Sequence, residues 1–142
     1  MKFFLDTSVF VAAFWGDHPQ HAASVKLIKS ATPHTAACAA HTVAEVYSTM
    51  TRLPVKPVIP PEQALLFIRQ IRERFSVIAL TDGEYFETVE RLAEKGVARS
   101  YIYDGLIMTA AAKSEAEVIY TWDTDDFQLV STVETMTKIR TP

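Results

Sequence analysis

Short apolar runs alternate along the chain with stretches whose apolar residues recur at helical spacing. Runs rich in Phe, Val and Ile predict strands at residues 2–5, 35–38, 77–80 and 118–121, with a short last strand at 138–140. Between the first two, residues 20–30 place Ala23, Leu27 and Ile28 on one face, and Pro33 ends that helix. Another helix begins at Pro61, where a first helical turn tolerates proline, and carries a stripe of Ala64, Ile68, Ile71 and Phe75. Residues 84–95 repeat the period with Phe86, Val89 and Ala93, and Gly96 supplies the stop. Residues 100–113 are apolar over most of their surface and predict a buried helix. This alternation predicts an α/β fold, a three-layer α/β/α sandwich around a mostly parallel central sheet of about five strands. The one proline-rich stretch, Leu53 to Pro61, is too short for a domain linker and predicts a loop between two helices.

Composition narrows the class. A chain of 142 residues fits a single domain over 1–142, and 49% hydrophobic with 22% charged residues describes a globular protein. The apolar opening is interrupted by Asp6 and closed by Asp17-His18-Pro19, so neither a signal peptide nor a membrane span is expected. Cys38 lies among alanines, has no partner for an internal disulfide, and fits a buried thiol in a reducing cytoplasm. A net charge of −3 gives no overall basic footprint for nucleic acid, although a bound divalent cation would change the local balance.

Four acidic residues then stand out. Asp6 and Asp123 follow predicted strands, while Glu45 and Asp104 fall where the first turns of two helices are expected. In an open parallel sheet these ends share one side, where ligands bind. Carboxylates about 5 Å apart repel by roughly 3 kcal/mol at an effective dielectric of about 20, so such a cluster calls for a cation. Oxygen-only ligation selects magnesium, with manganese able to substitute. The chain has no Cys/His set for zinc, and His18-Pro19-Gln20-His21 fits a solvated loop. Each acid has a simpler reading too: Thr42-Val43-Ala44-Glu45 matches a capping box, Asp6 can cap the next helix, and Asp104 can favour a helix dipole. Asp123, Asp125 and Asp126 can form a polar turn, with Asp126 capping a short helix from Phe127.

Together, Leu5-Asp6-Thr7-Ser8-Val9-Phe10, Thr42-Val43-Ala44-Glu45-Val46-Tyr47, Tyr103-Asp104-Gly105-Leu106-Ile107 and Thr121-Trp122-Asp123-Thr124-Asp125-Asp126-Phe127 resemble, in order and spacing, the four motifs of PIN-domain ribonucleases. The short single-domain form is most similar to the VapC toxins of toxin–antitoxin pairs. The resemblance implies that Asp6 and Asp104 are the principal metal ligands, that Glu45 and Asp123 complete the acidic pocket, and that Ser8 and Thr121 orient these carboxylates. Asp126 is implied as a supporting acid, or as the fourth ligand in place of Asp123. The implied reaction is magnesium-dependent hydrolysis of RNA by water, leaving a 5′-phosphate and a 3′-hydroxyl. A homodimer and an antitoxin partner, holding an arginine against the carboxylates, are implied as well.

Candidate phosphate contacts are Arg52 and Arg99, with Lys56, Arg69, Arg72 and Arg74, although such groups also make ordinary solvated faces. Trp15 and Tyr47 are candidates for stacking on bases or for the core. A PIN nuclease of RNA processing fits the same four acids. A haloacid-dehalogenase-type phosphatase needs a second Asp where this chain has Ser8. A non-enzymatic receiver domain phosphorylated on Asp82 needs an acidic pair at the end of the first strand, where only Asp6 is present.

Overall fold

In the computed structural model, which describes residues 1–142, β1 (Phe3–Leu5) lies in the middle of a five-stranded sheet. Successive strand residues face opposite sides, so Phe4 packs into one apolar cluster and Leu5 into another. β2 (Ala36–Ala39) repeats the division, with Ala37 and Ala39 on the Phe4 side and Ala36 and Cys38 on the Leu5 side. Central strands buried on both faces carry no polar alternation, which is why they read as plain apolar runs. The small side chains of β2 also let its covering helices approach closely.

The Leu5 side is covered by α1 (Thr7–Phe14), α2 (His21–Ser30), α3 (Ala40–Arg52) and α4 (Pro61–Arg74). Val9, Phe10, Ile28, Val46, Met50 and Ile71 supply its core, and Phe10 meets Phe75 edge to face with ring centroids 4.9 Å apart. Completing the sheet are β3 (Ser76–Ile78), β4 (Val118–Tyr120) and β5 (Ile139–Arg140). On the Phe4 side lie α5 (Asp82–Glu94), α6 (Tyr101–Lys113) and α7 (Thr124–Val130), which bring in Leu92, Ile107, Met108, Phe127 and Val130. A short α8 (Val133–Met136) packs on α6. The structure is the expected three-layer sandwich, and its sheet is wholly parallel.

Most boundaries fall within a residue or two of the periodicity. α5 starts two residues before Glu84 because Thr81 forms a capping box: Thr81 Oγ1 accepts from Glu84 N at 3.2 Å, and Glu84 Oε2 accepts from Thr81 N at 2.7 Å. The proline-rich stretch joins α3 to α4 as expected. Cys38 is buried, and burial pushes its thiol up to about 12. No helix is long and apolar enough to cross a membrane.

The strand order, β3-β2-β1-β4-β5, sets up the site. The chain builds outward from β1 through β2 to β3, then returns to the other side of β1 for β4 and β5. Order therefore reverses between β1 and β4, and the crevice beyond their carboxyl ends is where open α/β sheets bind ligands. Gly105 lets α6 sit close to α5 beside that crevice, since a Cβ there would collide with Leu92 Cδ1.

Candidate metal centre

Asp6 leaves β1 directly into the crevice and is 2% exposed. Its Oδ2 accepts from Thr121 Oγ1 at 2.9 Å and from Ser8 N at 3.2 Å. The second bond makes Asp6 the N-cap of α1, so the cap and a place in the cleft coexist in one side chain. Thr121, immediately after β4, spends its proton on Asp6 and accepts from Asp123 N at 3.0 Å. Ser8 Oγ accepts from Trp122 N at 3.0 Å and lies 3.4 Å from Thr121 Oγ1. This net joins the ends of the two strands that flank the switch point.

Asp6, Glu45, Asp104 and Asp123 all line one open cleft of about 280 Å³. Burial and mutual repulsion raise three of these carboxyls, those of Asp6, Asp104 and Asp123. Burial pushes the Asp6 carboxyl up to about 6 despite the hydrogen bonds from Ser8 and Thr121, and the Asp123 charge adds to the rise. Asp104, half-buried in the first turn of α6, is pushed up to about 7, first by burial and then by Asp6, Glu45, Asp126 and Asp123. Asp123 is raised by loss of solvation and by the charges of Asp126 and Glu45.

Several residues lie elsewhere than the sequence pattern places them. Glu45 sits in the second turn of α3, because the helix starts at Ala40 with Ala39 as a cap lacking any side-chain bond. The expected capping box is absent: Thr42 is already inside the helix and accepts from Thr7 Oγ1 at 3.3 Å. Glu45 Oε2 lies instead 3.3 Å from His41 Nε2. Asp126 is inside the first turn of α7 and caps nothing. It lines a shallow outer groove with Asp123 and Asp125, while Asp123 belongs to both groove and cleft. Arg52 and Arg99 are exposed, and neither they nor Lys56, Arg69, Arg72 and Arg74 line the cleft. Tyr47 is exposed on α3, whereas Trp15 is half-buried, its ring steeply inclined to that of His18 at 73°. Asp82 is exposed at the start of α5, away from the four acids.

His18 was expected in a solvated loop, yet it lines the cleft. Its Nδ1 accepts from Gln20 N at 3.1 Å, so a neutral ring carries its proton on Nε2. Nearby, Trp122 Nε1 donates to Ser24 Oγ at 2.9 Å, tying the β4 end to α2. No local pattern marks His18, because α1 and Trp15 must pack before the chain turns back.

The donor set suits a hard cation. Carboxylate oxygens dominate the cleft, and the one thiol is buried in the sheet. The acids ring the cleft without closing into a compact cage of three. A hard cation here would take one or two carboxylates directly and reach the others through water.

Residues 3–132 match the PIN-domain family. The chain belongs to the PIN-domain family. All four cleft acids lie within the matched span of this PIN domain. It is 34% identical over 115 residues to Ribonuclease VapC27 of Mycobacterium tuberculosis, covering 80% of each chain. Its fold is similar to that of Mycobacterium tuberculosis VapC20, a sarcin-ricin loop cleaving toxin, with a TM-score of 0.70, 18% identity, and 88% and 92% of the two chains covered. It is also similar to VapBC2 from Rickettsia felis, bound to a fragment of its promoter DNA, at a TM-score of 0.68, 18% identity, and 100% and 99% coverage.

Thr121 offers a test of how this PIN domain holds its acids. Thr121→Val removes both the donor to Asp6 and the acceptor of Asp123 N while keeping the β-branched shape. We expect about a 10–100-fold loss of divalent-cation affinity, the usual effect of deleting an outer partner of a ligand. Calorimetric titration with Mn2+ checks it; unchanged affinity would show that the net does not hold the site.

Proposed function

We propose that this PIN domain is a magnesium-dependent endoribonuclease and the toxin of a toxin–antitoxin pair. The observation that carries the reading is the convergence of Asp6, Glu45, Asp104 and Asp123 on one cleft at the sheet's switch point. These four would hold the ion, with Asp6 and Asp104 as its main ligands and Mn2+ as a substitute. When bound, magnesium supplies an activated water and offsets charge on the phosphoryl oxygens. The chain's own part is positional. Thr121 and the Ser8 backbone fix Asp6, so one carboxylate is set before substrate arrives. The acidic wall repels phosphate until a cation neutralises it, which makes RNA binding depend on metal loading. Arg52 and Arg99 contact the RNA backbone outside the cleft.

RNA as substrate is supported by the ribonuclease relative that shares 34% identity. An antitoxin partner is supported by the structural likeness to VapBC2 and by the cleft's charge, which suits an arginine from a partner segment. An apolar groove of about 270 Å³ between α1, α2 and α4, lined by Phe14, Ile28 and Phe67, gives such a segment a second hold. Exposed Tyr85, Phe86 and Val89 on α5 support a homodimer. We place the protein in the cytoplasm, where its RNA substrate is found.

Induction in a host cell is expected to arrest growth with fragmented RNA, and purified protein is expected to cut RNA with Mg2+ or Mn2+ but not with EDTA. Intact RNA in both settings would remove the reading.

A further inference from the structure

His41 lies one turn before Glu45 on α3 and meets two groups at once. Its Nε2 is 3.3 Å from Glu45 Oε2, and its ring stacks on Tyr103, with centroids 5.2 Å apart and planes 5° from parallel. Tyr103 directly precedes Asp104 on α6. One imidazole thus touches one cleft acid and the neighbour of another, on helices from opposite sides of the sheet. The approach to Glu45 is a polar contact at ion-pair distance, made by the Nε2 edge of a ring whose face lies on Tyr103.

This contact differs from those that hold Asp6. Asp6 is short, buried and clamped by two donors, whereas Glu45 has an extra rotatable bond and a side chain 30% exposed. A pair of residues four apart with this exposure contributes little to stability. Its consequence is orientation: Glu45 lines the cleft while one of its oxygens, Oε2, faces His41, which does not line it.

We propose that His41 is a positioning residue for the cation site, holding Glu45 with one ring edge while its stack on Tyr103 ties that carboxylate to the first turn of α6. The role rests on the reading of Glu45 as part of a metal centre. It adds a side chain outside the four acidic motifs, from a different residue class.

Two variants separate the ring from its nitrogen. His41→Phe keeps a ring to stack on Tyr103 and removes the polar nitrogen; His41→Gln keeps a polar amide near the Nε2 position and removes the ring. Mn2+ affinity is measured by calorimetry on the full chain, with kcat and KM on an RNA substrate and Tm as a control. His41→Phe is expected to weaken Mn2+ binding about tenfold and to lower kcat with KM nearly unchanged, while His41→Gln stays within about threefold of wild type. A His41→Phe protein that binds Mn2+ like wild type overturns the proposal, as does a loss in His41→Gln as large as or larger than that in His41→Phe, which would show that the Nε2 contact is not what sets the affinity. Wild type that binds Mn2+ in a His41-dependent way yet leaves RNA intact overturns the nuclease reading alone. Wild type that binds no Mn2+ overturns both.

Discussion

Asp6→Asn and Asp104→Asn are each expected to lower RNA cleavage by more than about a hundredfold, beyond the range produced by losing a ligand's outer partner. The substitution keeps shape and removes charge. At Asp6 the amide oxygen can still accept from Thr121 Oγ1 and Ser8 N, so the α1 cap and the link between β1 and β4 survive. What disappears is the anionic oxygen that attracts a cation, and no neighbour can replace it because Asp6 is the most buried of the four acids. Asp104 faces every other acid of the cluster, so its loss also weakens the field that concentrates cations in the cleft. Asp123→Asn is expected to cost more than Asp126→Asn, since Asp123 lines the cleft and Asp126 acts on it only through its charge. Asp125→Asn, exposed in the outer groove, serves as the control that stays near wild type. Turnover at saturating Mg2+ and growth on induction are the measurements. Asp6→Asn retaining cleavage within about tenfold would remove the metal mechanism, because ligand loss cannot be that mild.

The sheet was legible because its central strands are buried on both faces and bounded by helices whose periods are clear. Phe3-Phe4-Leu5 and Val118-Ile119-Tyr120 announce strands by β-branched and aromatic content, and an acid after each marks a carboxyl end of the kind where open sheets bind ligands. Asp104 was legible for a related reason: an acid in a helix with six buried residues needs a partner or a purpose.

The failures share a cause in packing. The letters Thr-x-x-Glu describe a capping box only if the helix begins at Thr42, yet β2 passes straight into α3 through Ala39 and Ala40, which carry no start signal. That moved Glu45 by most of a turn. The same text pattern was real at Thr81, where an exposed loop precedes the helix. His18 reaches the cleft only after α1 packs; His41 had a legible local partner in Glu45, four residues on, but its stack on Tyr103, sixty-two positions away, was not legible. The arginines were legible as charge but not as location, and the cleft is lined by none of those considered.

The same electrostatics that favour a cation should make the metal-free protein less stable as pH rises, and this is the second large effect. Asp6 is raised to about 6 and Asp104 to about 7, against 3.8 for the ordinary carboxyl. The folded chain therefore binds more protons than the unfolded one between these values. Stability from the protonated pair is fully present below about pH 3.8 and is lost as pH climbs through 6 and 7. For buried Asp6 the whole loss is on the order of 3 kcal/mol, of which roughly half falls between pH 5 and 8, equivalent to about 5 °C in Tm for a domain of this size. Asp104 adds in the same direction, tempered by its exposure to solvent. Glu84 works oppositely: the Thr81 backbone and Lys113 lower its pKa, so its contribution fades only in acid. Between pH 5 and 8 the raised pair dominates, and Tm without metal is expected to fall. Divalent cations bind the ionised acids, so saturating Mn2+ is expected to raise Tm strongly at pH 8 and little at pH 5. Asp6→Asn removes one of the raised carboxyls, and is therefore expected to flatten the metal-free profile and to stand above wild type at pH 8. Thermal melts of both proteins with EDTA or Mn2+ test the chain of argument. A wild-type Tm that is flat or rising from pH 5 to 8 without metal would show that the cleft acids do not carry this strain. A Mn2+ shift equal at both pH values would separate cation binding from their ionisation.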